Sequence, residues 1–284
     1  MRKKEKPGKL AQEKRMQVRI IDCSAGSHLE CMRQVTAQGA ARPACIAAEH
    51  SMDVYVNESL AMRVVCTPEH LDELAVGRLL TEGLIETAED IQEICICEKG
   101  QRVQALIREE AAARLTAGQA ESVGARCTDN RTLLSGNAAE IKPVKPIPWQ
   151  PGWLRDMAER LRREEPLYGA THAAHACYLA LEGQALCCRE DIGRHNALDK
   201  VIGWALMAGV DRARCLLFTT GRMPADMVAK ALRAGIPLLA SKTYPTDRGL
   251  ELARRGRLTL ATVRPDGTTL IWTNGQETEG PEEK

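Results

Sequence analysis

The carboxy-terminal half of the chain alternates short apolar runs with helix-patterned stretches, and that alternation admits few folds. ACYLAL (176–181) and ALCC (185–188) flank the turn pair Glu182-Gly183, NALDKVIGWAL (196–206) sets Ala197, Leu198, Val201, Ile202 and Ala205 on one helical face, and RCLLFTT (214–220) reads as a buried strand. PADMVAKALRAG (224–235) is a helix stopped by Gly235, IPLLAS (236–241) a strand, and DRGLELARRG (247–256) another helix. LTLATV (258–263) and TTLIW (268–272) close the series. Such alternation predicts a layered α/β sheet with helices on its faces.

Upstream the pattern is different. MDVYVNESLAMRVVC (52–66) predicts two strands turning at Asn57-Glu58. Thr67-Pro68 predicts a helix start, because Thr caps and Pro is tolerated at the first helical position. Leu71, Leu74, Ala75, Leu79 and Leu80 share a face, and Gly83 fits the stop. EICICE and RVQALIR pair around Lys99-Gly100. The expected organisation is a basic, partly disordered tail and lead-in (1–45), a small α+β domain (46–140), a proline-rich linker IKPVKPIPWQPGW (141–153) with few backbone donors, and an α/β domain (154–284).

Bulk properties narrow the function classes. With 284 residues, 44% of them hydrophobic, the chain can bury real cores. A net charge of +1 gives no reason to expect nucleic acid as a partner, although eight of the first nineteen residues are Lys or Arg. No apolar segment follows that run and none is long enough to span a bilayer, so no membrane partner is expected and the expected compartment is the cytoplasm. The eleven cysteines are odd in number and no secretion signal precedes them, which argues against a disulfide framework. Cys95 and Cys97 alternate with Ile and read as buried small strand hydrophobes rather than metal ligands. Cys187 and Cys188 are adjacent, a poor spacing for zinc, and His172 and His175 lack a thiolate or carboxylate partner at ligand spacing. No metal site is expected.

Chemistry collects in three loops that follow strands: REDIGRHN, TTGRMPAD and SKTYPTD. In alternating sheets ligands are held beyond the carboxyl ends of strands, and a Gly, Pro or hydroxyl before a helix leaves backbone N–H groups and a dipole that favour an anion. Taken singly, such residues are ordinary helix caps; three loops at one sheet edge, with the forked donors of Arg194 and Arg222, predict a site for a phosphorylated or pyrophosphate-bearing ligand.

EDIGRHNALDKVIG, FTTGRMPADMVAKALRAGIP and SKTYPTDRGLELARR, together with VYVNESLAMRVVCTPEHLDELAVGRLLTEGLIE, resemble the FdhD/NarQ family of formate dehydrogenase accessory sulfurtransferases. The resemblance covers most of residues 50 to 272. It implies a cytidine-deaminase-like carboxy-terminal domain beside a smaller α+β amino-terminal domain. It implies a sulfur carrier that takes persulfide sulfur from a cysteine desulfurase and passes it to the molybdenum cofactor, bis(molybdopterin guanine dinucleotide), bound as cargo before insertion into formate dehydrogenase. It also suggests a homodimer. The positions carried over as cofactor contacts are Arg194, His195, Arg222, Lys242 and the segment Val263, Arg264, Pro265, Asp266, Gly267 and Thr268.

The sequence departs from the family pattern twice. Where members usually carry C-x-x-C, it reads GARCTDNRTLLSG, leaving Cys127 as the sulfur-carrying residue with Asn130 in place of a second cysteine. One thiolate suffices to form a persulfide, and Arg126 and Arg131 would favour it by charge. Pro224 stands where many members have Ser. The lost cysteine keeps a second reading open, a cofactor-binding chaperone without sulfur transfer. A third, a zinc-dependent nucleoside deaminase, requires a P-C-x-x-C that the chain lacks.

Overall fold

The computed structural model describes residues 18–23, 30–38, 43–113, 116–117, 131–132, 134–135, 142–163 and 166–275. The basic tail, Cys127 and Asn130 lie outside the described residues.

The amino-terminal elements run β1 (Arg19–Asp22), β2 (Met32–Val35), β3 (Ala44–Ala47), β4 (His50–Val56), β5 (Ser59–Cys66), α1 (Leu71–Thr81), β6 (Ile91–Ile96), β7 (Arg102–Ile107), α2 (Glu109–Ala112), β8 (Thr116–Ala117), β9 (Arg131–Thr132) and β10 (Leu134–Ser135). A mixed sheet forms in the order β1-β6-β7-β4-β5-β9. Met52, Val54 and Val56 point inward from β4 while the residues between them point out, as strand alternation requires. The expected turn forms at Asn57 (φ 43°) and Glu58 (φ 73°), a left-handed pair that matches the twist of a two-residue hairpin. Helix α1 starts at Leu71, after His70 (φ 53°), and not at Thr67-Pro68. Thr67 caps nothing because its amide and hydroxyl both bind Asp191 of the other sheet.

The remaining elements are α3 (Pro151–Arg163), α4 (Pro166–Thr171), β11 (His175–Leu181), β12 (Gln184–Asp191), α5 (Arg194–Met207), β13 (Cys215–Thr219), α6 (Ala225–Arg233), β14 (Leu238–Ser241), α7 (Asp247–Arg255), β15 (Thr259–Val263) and β16 (Thr269–Asn274). Their sheet has the order β12-β11-β13-β14-β15-β16. β11 is antiparallel to β12 and β13, while β13, β14 and β15 run parallel, so β12 to β15, apart from β11, end at one edge. The alternate faces of these strands fill two cores. Tyr178, Phe218, Leu238 and Ala261 meet Leu154, Met157 and Leu161 of α3. Leu179, Leu217, Leu239 and Leu260 face the opposite way, into a cluster with α5 and α6 that continues through α1 into the amino-terminal sheet.

Contact between the two sheets runs through α1 and α5. A Cβ added at Gly77 would land on the carbonyl oxygen of Asp199, and one at Gly203 on that of Glu73. Glycine inside a helix costs about 1 kcal/mol relative to Ala. Here it lets two backbones touch, and the burial of Leu74, Leu198, Val201 and Ile202 beside them, at roughly 1.5–3 kcal/mol per large side chain, outweighs that penalty.

Candidate functional site

The stretch EDIGRHNALDK divides between two tasks. Asp191, wholly buried at the end of β12, accepts from Gly193 N and Asn196 Nδ2 on one oxygen (both 2.9 Å) and from Thr67 N and Oγ1 on the other (both 3.0 Å). Lys200 Nζ lies 2.7 Å from the same second oxygen and 2.8 Å from Thr67 Oγ1. Next to Lys200 in α5, Asp199 binds Arg78 Nη1 (3.1 Å), Thr81 Oγ1 (2.7 Å) and Lys230 Nζ (2.9 Å). Asp191, Asp199 and Lys200 therefore join the two halves of the chain.

Arg194 and His195 face the carboxyl edge of the sheet. Arg194 is buried, its stem laid across Gly221, where an added Cβ would come within 2.8 Å of it. His195 Nε2 sits 2.9 Å from Asp226 Oδ2, so the neutral ring donates there and leaves Nδ1 as an acceptor. Burial pushes the His195 imidazole below its ordinary value against the upward pull of Asp226. His175 Nδ1 lies 3.2 Å from Thr220 Oγ1, and burial with the Arg194 and Lys242 charges lowers its basicity too. Asp226, Thr220 and Gly221 were not singled out from sequence; a Gly directly after a buried strand, at a helix approach, is the signal for the last.

The hydroxyls of the SKTYPTD loop turn inward. Ser241 Oγ and Thr243 Oγ1 both donate to Gly221 O (2.7 and 2.8 Å), and Thr246 Oγ1 caps α7 by accepting from Gly249 N. They lock the loops to one another. Arg222 and Lys242 are exposed at this edge, and the Lys242 ammonium lies 5.3 Å from the Tyr168 ring centroid. Pro224 occupies the N-cap of α6.

The segment 263–268 turns between β15 and β16 at this same edge. Val263 is a core residue; Arg264, Pro265 and Asp266 are exposed. Gly267 (φ 82°) supplies the left-handed turn, Arg264 N and Thr268 O close it at 2.8 Å, and the Thr268 N–H on Asp266 Oδ1 holds that carboxyl below its usual range. Tyr244 and Trp272 pack edge to face beside it. Arg194, His195, Arg222, Lys242 and the 263–268 turn thus occupy one edge, with Arg194 and Val263 buried beneath its surface.

Among the described residues no group of three or more His, Cys, Asp or Glu side chains is arranged to hold a metal, and no helix is long and apolar enough to cross a membrane. Burial raises the thiols of Cys66 and Cys177 well above their ordinary range and those of Cys187 and Cys215 to about 12.

The FdhD/NarQ family model matches residues 47–278. The chain is 31% identical over 214 residues to the sulfur carrier protein FdhD of Wolinella succinogenes, covering 75% of this chain and 74% of the relative. It is 34% identical over 215 residues to that of Geobacillus kaustophilus, covering 73% and 80%. The crystal structure of a Desulfotalea psychrophila protein assigned as a formate dehydrogenase accessory protein superposes with a TM-score of 0.68 at 26% identity, over 86% of this chain and 97% of that one. A match that runs through both sheets, the α1–α5 contact and the carboxyl edge of the second sheet makes this chain a member of the FdhD/NarQ family.

Proposed function

We propose that the chain is a sulfur carrier for formate dehydrogenase maturation, a cytoplasmic sulfurtransferase that works as a homodimer. Cys127 takes persulfide sulfur from a cysteine desulfurase, and the carboxyl edge of a deaminase-like sheet holds bis(molybdopterin guanine dinucleotide) as cargo. The family match across residues 47–278 carries this reading. Two physical points support it. Persulfide formation needs a thiolate, and the buried Cys66, Cys177, Cys187 and Cys215 are held as thiols, which favours a cysteine elsewhere for the task. Arg222, Lys242 and Arg264 expose three cations along one edge, beside the His195 ring, as a polyphosphorylated ligand would require.

The test is mass spectrometry of the full chain after incubation with a cysteine desulfurase and cysteine. Cys127 should gain one sulfur atom, Cys127→Ser should gain none there, and the Ser variant should fail to restore formate dehydrogenase activity in a knockout. Full activity with Cys127→Ser would overturn sulfur transfer and leave the cofactor-binding chaperone.

A further inference from the structure

Three thiols share the outward face of the amino-terminal sheet, remote in sequence from Cys127. β1 pairs parallel with β6 in the register Arg19↔Glu93, Ile21↔Cys95 and Asp22↔Ile96, and the Cys23 N–H continues the ladder to Ile96 O at 3.0 Å. Cys23 therefore stands opposite Cys97. Ile94 and Ile96 are wholly buried, so Glu93, Cys95 and Cys97 point the other way. The Arg19–Glu93 ion pair (Nε to Oε2, 3.4 Å) shows that partners in this register meet on that outward face. Cys23 is exposed, and Cys95 and Cys97, expected from the sequence to be buried, are partly exposed because Ile94 and Ile96 take the core face of the strand. The Arg102 N–H donates to Cys97 Sγ at 3.2 Å.

We propose that Cys23 and Cys97 are a redox-active thiol pair, closing to a cross-strand disulfide on reaction with a low-molecular-weight disulfide. Adjacent strands stand about 4.8 Å apart, inside the Cα separation that a disulfide spans. Cys95 is two residues along one strand from Cys97, at roughly 6.6 Å, and Cys23 lies diagonally from it, so the Cys23–Cys97 pair is the geometrically favoured one. The exposed Cys23 thiolate attacks one sulfur of glutathione disulfide, the S–S bond breaks, and one glutathione thiolate leaves. The Cys97 thiolate then attacks the Cys23 sulfur of the mixed disulfide and expels the second glutathione. Two protein thiols are oxidised, one glutathione disulfide is reduced to two glutathiones, and the two protons pass to the leaving thiolates. The product pins edge strand β1 to β6. The pair is independent of the sulfur-transfer reading.

The full reduced chain is equilibrated with glutathione and glutathione disulfide, alkylated, and mapped by peptide mass spectrometry. A Cys23–Cys97 cross-link is expected in the wild type and in Cys95→Ser; Cys23→Ser should instead show glutathione retained on Cys97. Hydrogen exchange should slow at Ile20 to Asp22 in the oxidised wild type and not in Cys23→Ser. Separate glutathione adducts on Cys23 and Cys97 without a cross-link, in wild-type protein whose circular dichroism is native, would overturn the proposal, as would a cross-link joining either one to Cys95 in preference.

Discussion

Lys200 Nζ lies 2.7 Å from Asp191 Oδ2 with both side chains wholly buried, and Thr67 from the other sheet binds each of them. A charge pair so placed is costly to break, because the surviving partner keeps its charge in a dry interior. Lys200→Met should destabilise the chain by about 3–5 kcal/mol, the range for orphaning a buried ion. Urea unfolding checks it; a loss under about 1 kcal/mol would mean that the four neutral donors on Asp191 hold it alone.

Gly203→Ala is the corresponding test of the helix contact. An added methyl group usually favours a helix, yet here it would collide with the Glu73 carbonyl of α1. A backbone carbonyl inside a packed interface cannot swing away as a side chain can. The expected loss is about 3 kcal/mol or more, read as a lower thermal midpoint, whereas Gly152→Ala, with only the tip of Arg155 nearby, should change little.

The Glu82 carboxyl is drawn down to about 2 because Lys230 (3.3 Å) and Arg78 (3.1 Å) outweigh its burial. Its contribution to stability is whole above its ordinary value of 4.5 and disappears as pH falls through about 2. Stability should drop across that window, and Glu82→Gln should flatten the drop while lowering stability at pH 7. A Gln variant with an unchanged acid profile would assign the acid sensitivity to other groups.

These contacts mark where sequence reading stops. The turns at Asn57-Glu58 and Glu182-Gly183, the alternating strands and the edge loops were legible because each depends on neighbours within a few residues. Nothing local to Asp191, Asp199 and Lys200 reveals that Thr67 and Arg78, more than a hundred residues earlier, satisfy them. Thr67 misleads for the same reason. Gly203 carried a usable signal, a helix-interior glycine in an otherwise apolar face, whose partner Gly77 only the fold identifies.

The last prediction concerns how Arg194 would meet the proposed cargo. Its stem rests on Gly221, whose carbonyl is fixed by Ser241 and Thr243, so the guanidinium is aimed by a backbone surface that tolerates no side chain. Guanosine diphosphate, a partial mimic of the proposed cargo, should bind the wild type modestly, and Arg194→Ala should weaken it by about 1.5–3 kcal/mol, the scale of a charge-assisted hydrogen bond. Gly221→Ala should weaken binding comparably although it removes no charge, because its Cβ would displace the Arg194 stem. Since both changes act through one guanidinium, the double variant should lose little more than either alone. Arg222→Ala, at an exposed position, should lower affinity with less effect on stability than Arg194→Ala. Calorimetric titration of the four variants decides: additive losses for Gly221→Ala and Arg194→Ala would show that Gly221 serves the ligand directly and that Arg194 is not aimed by it.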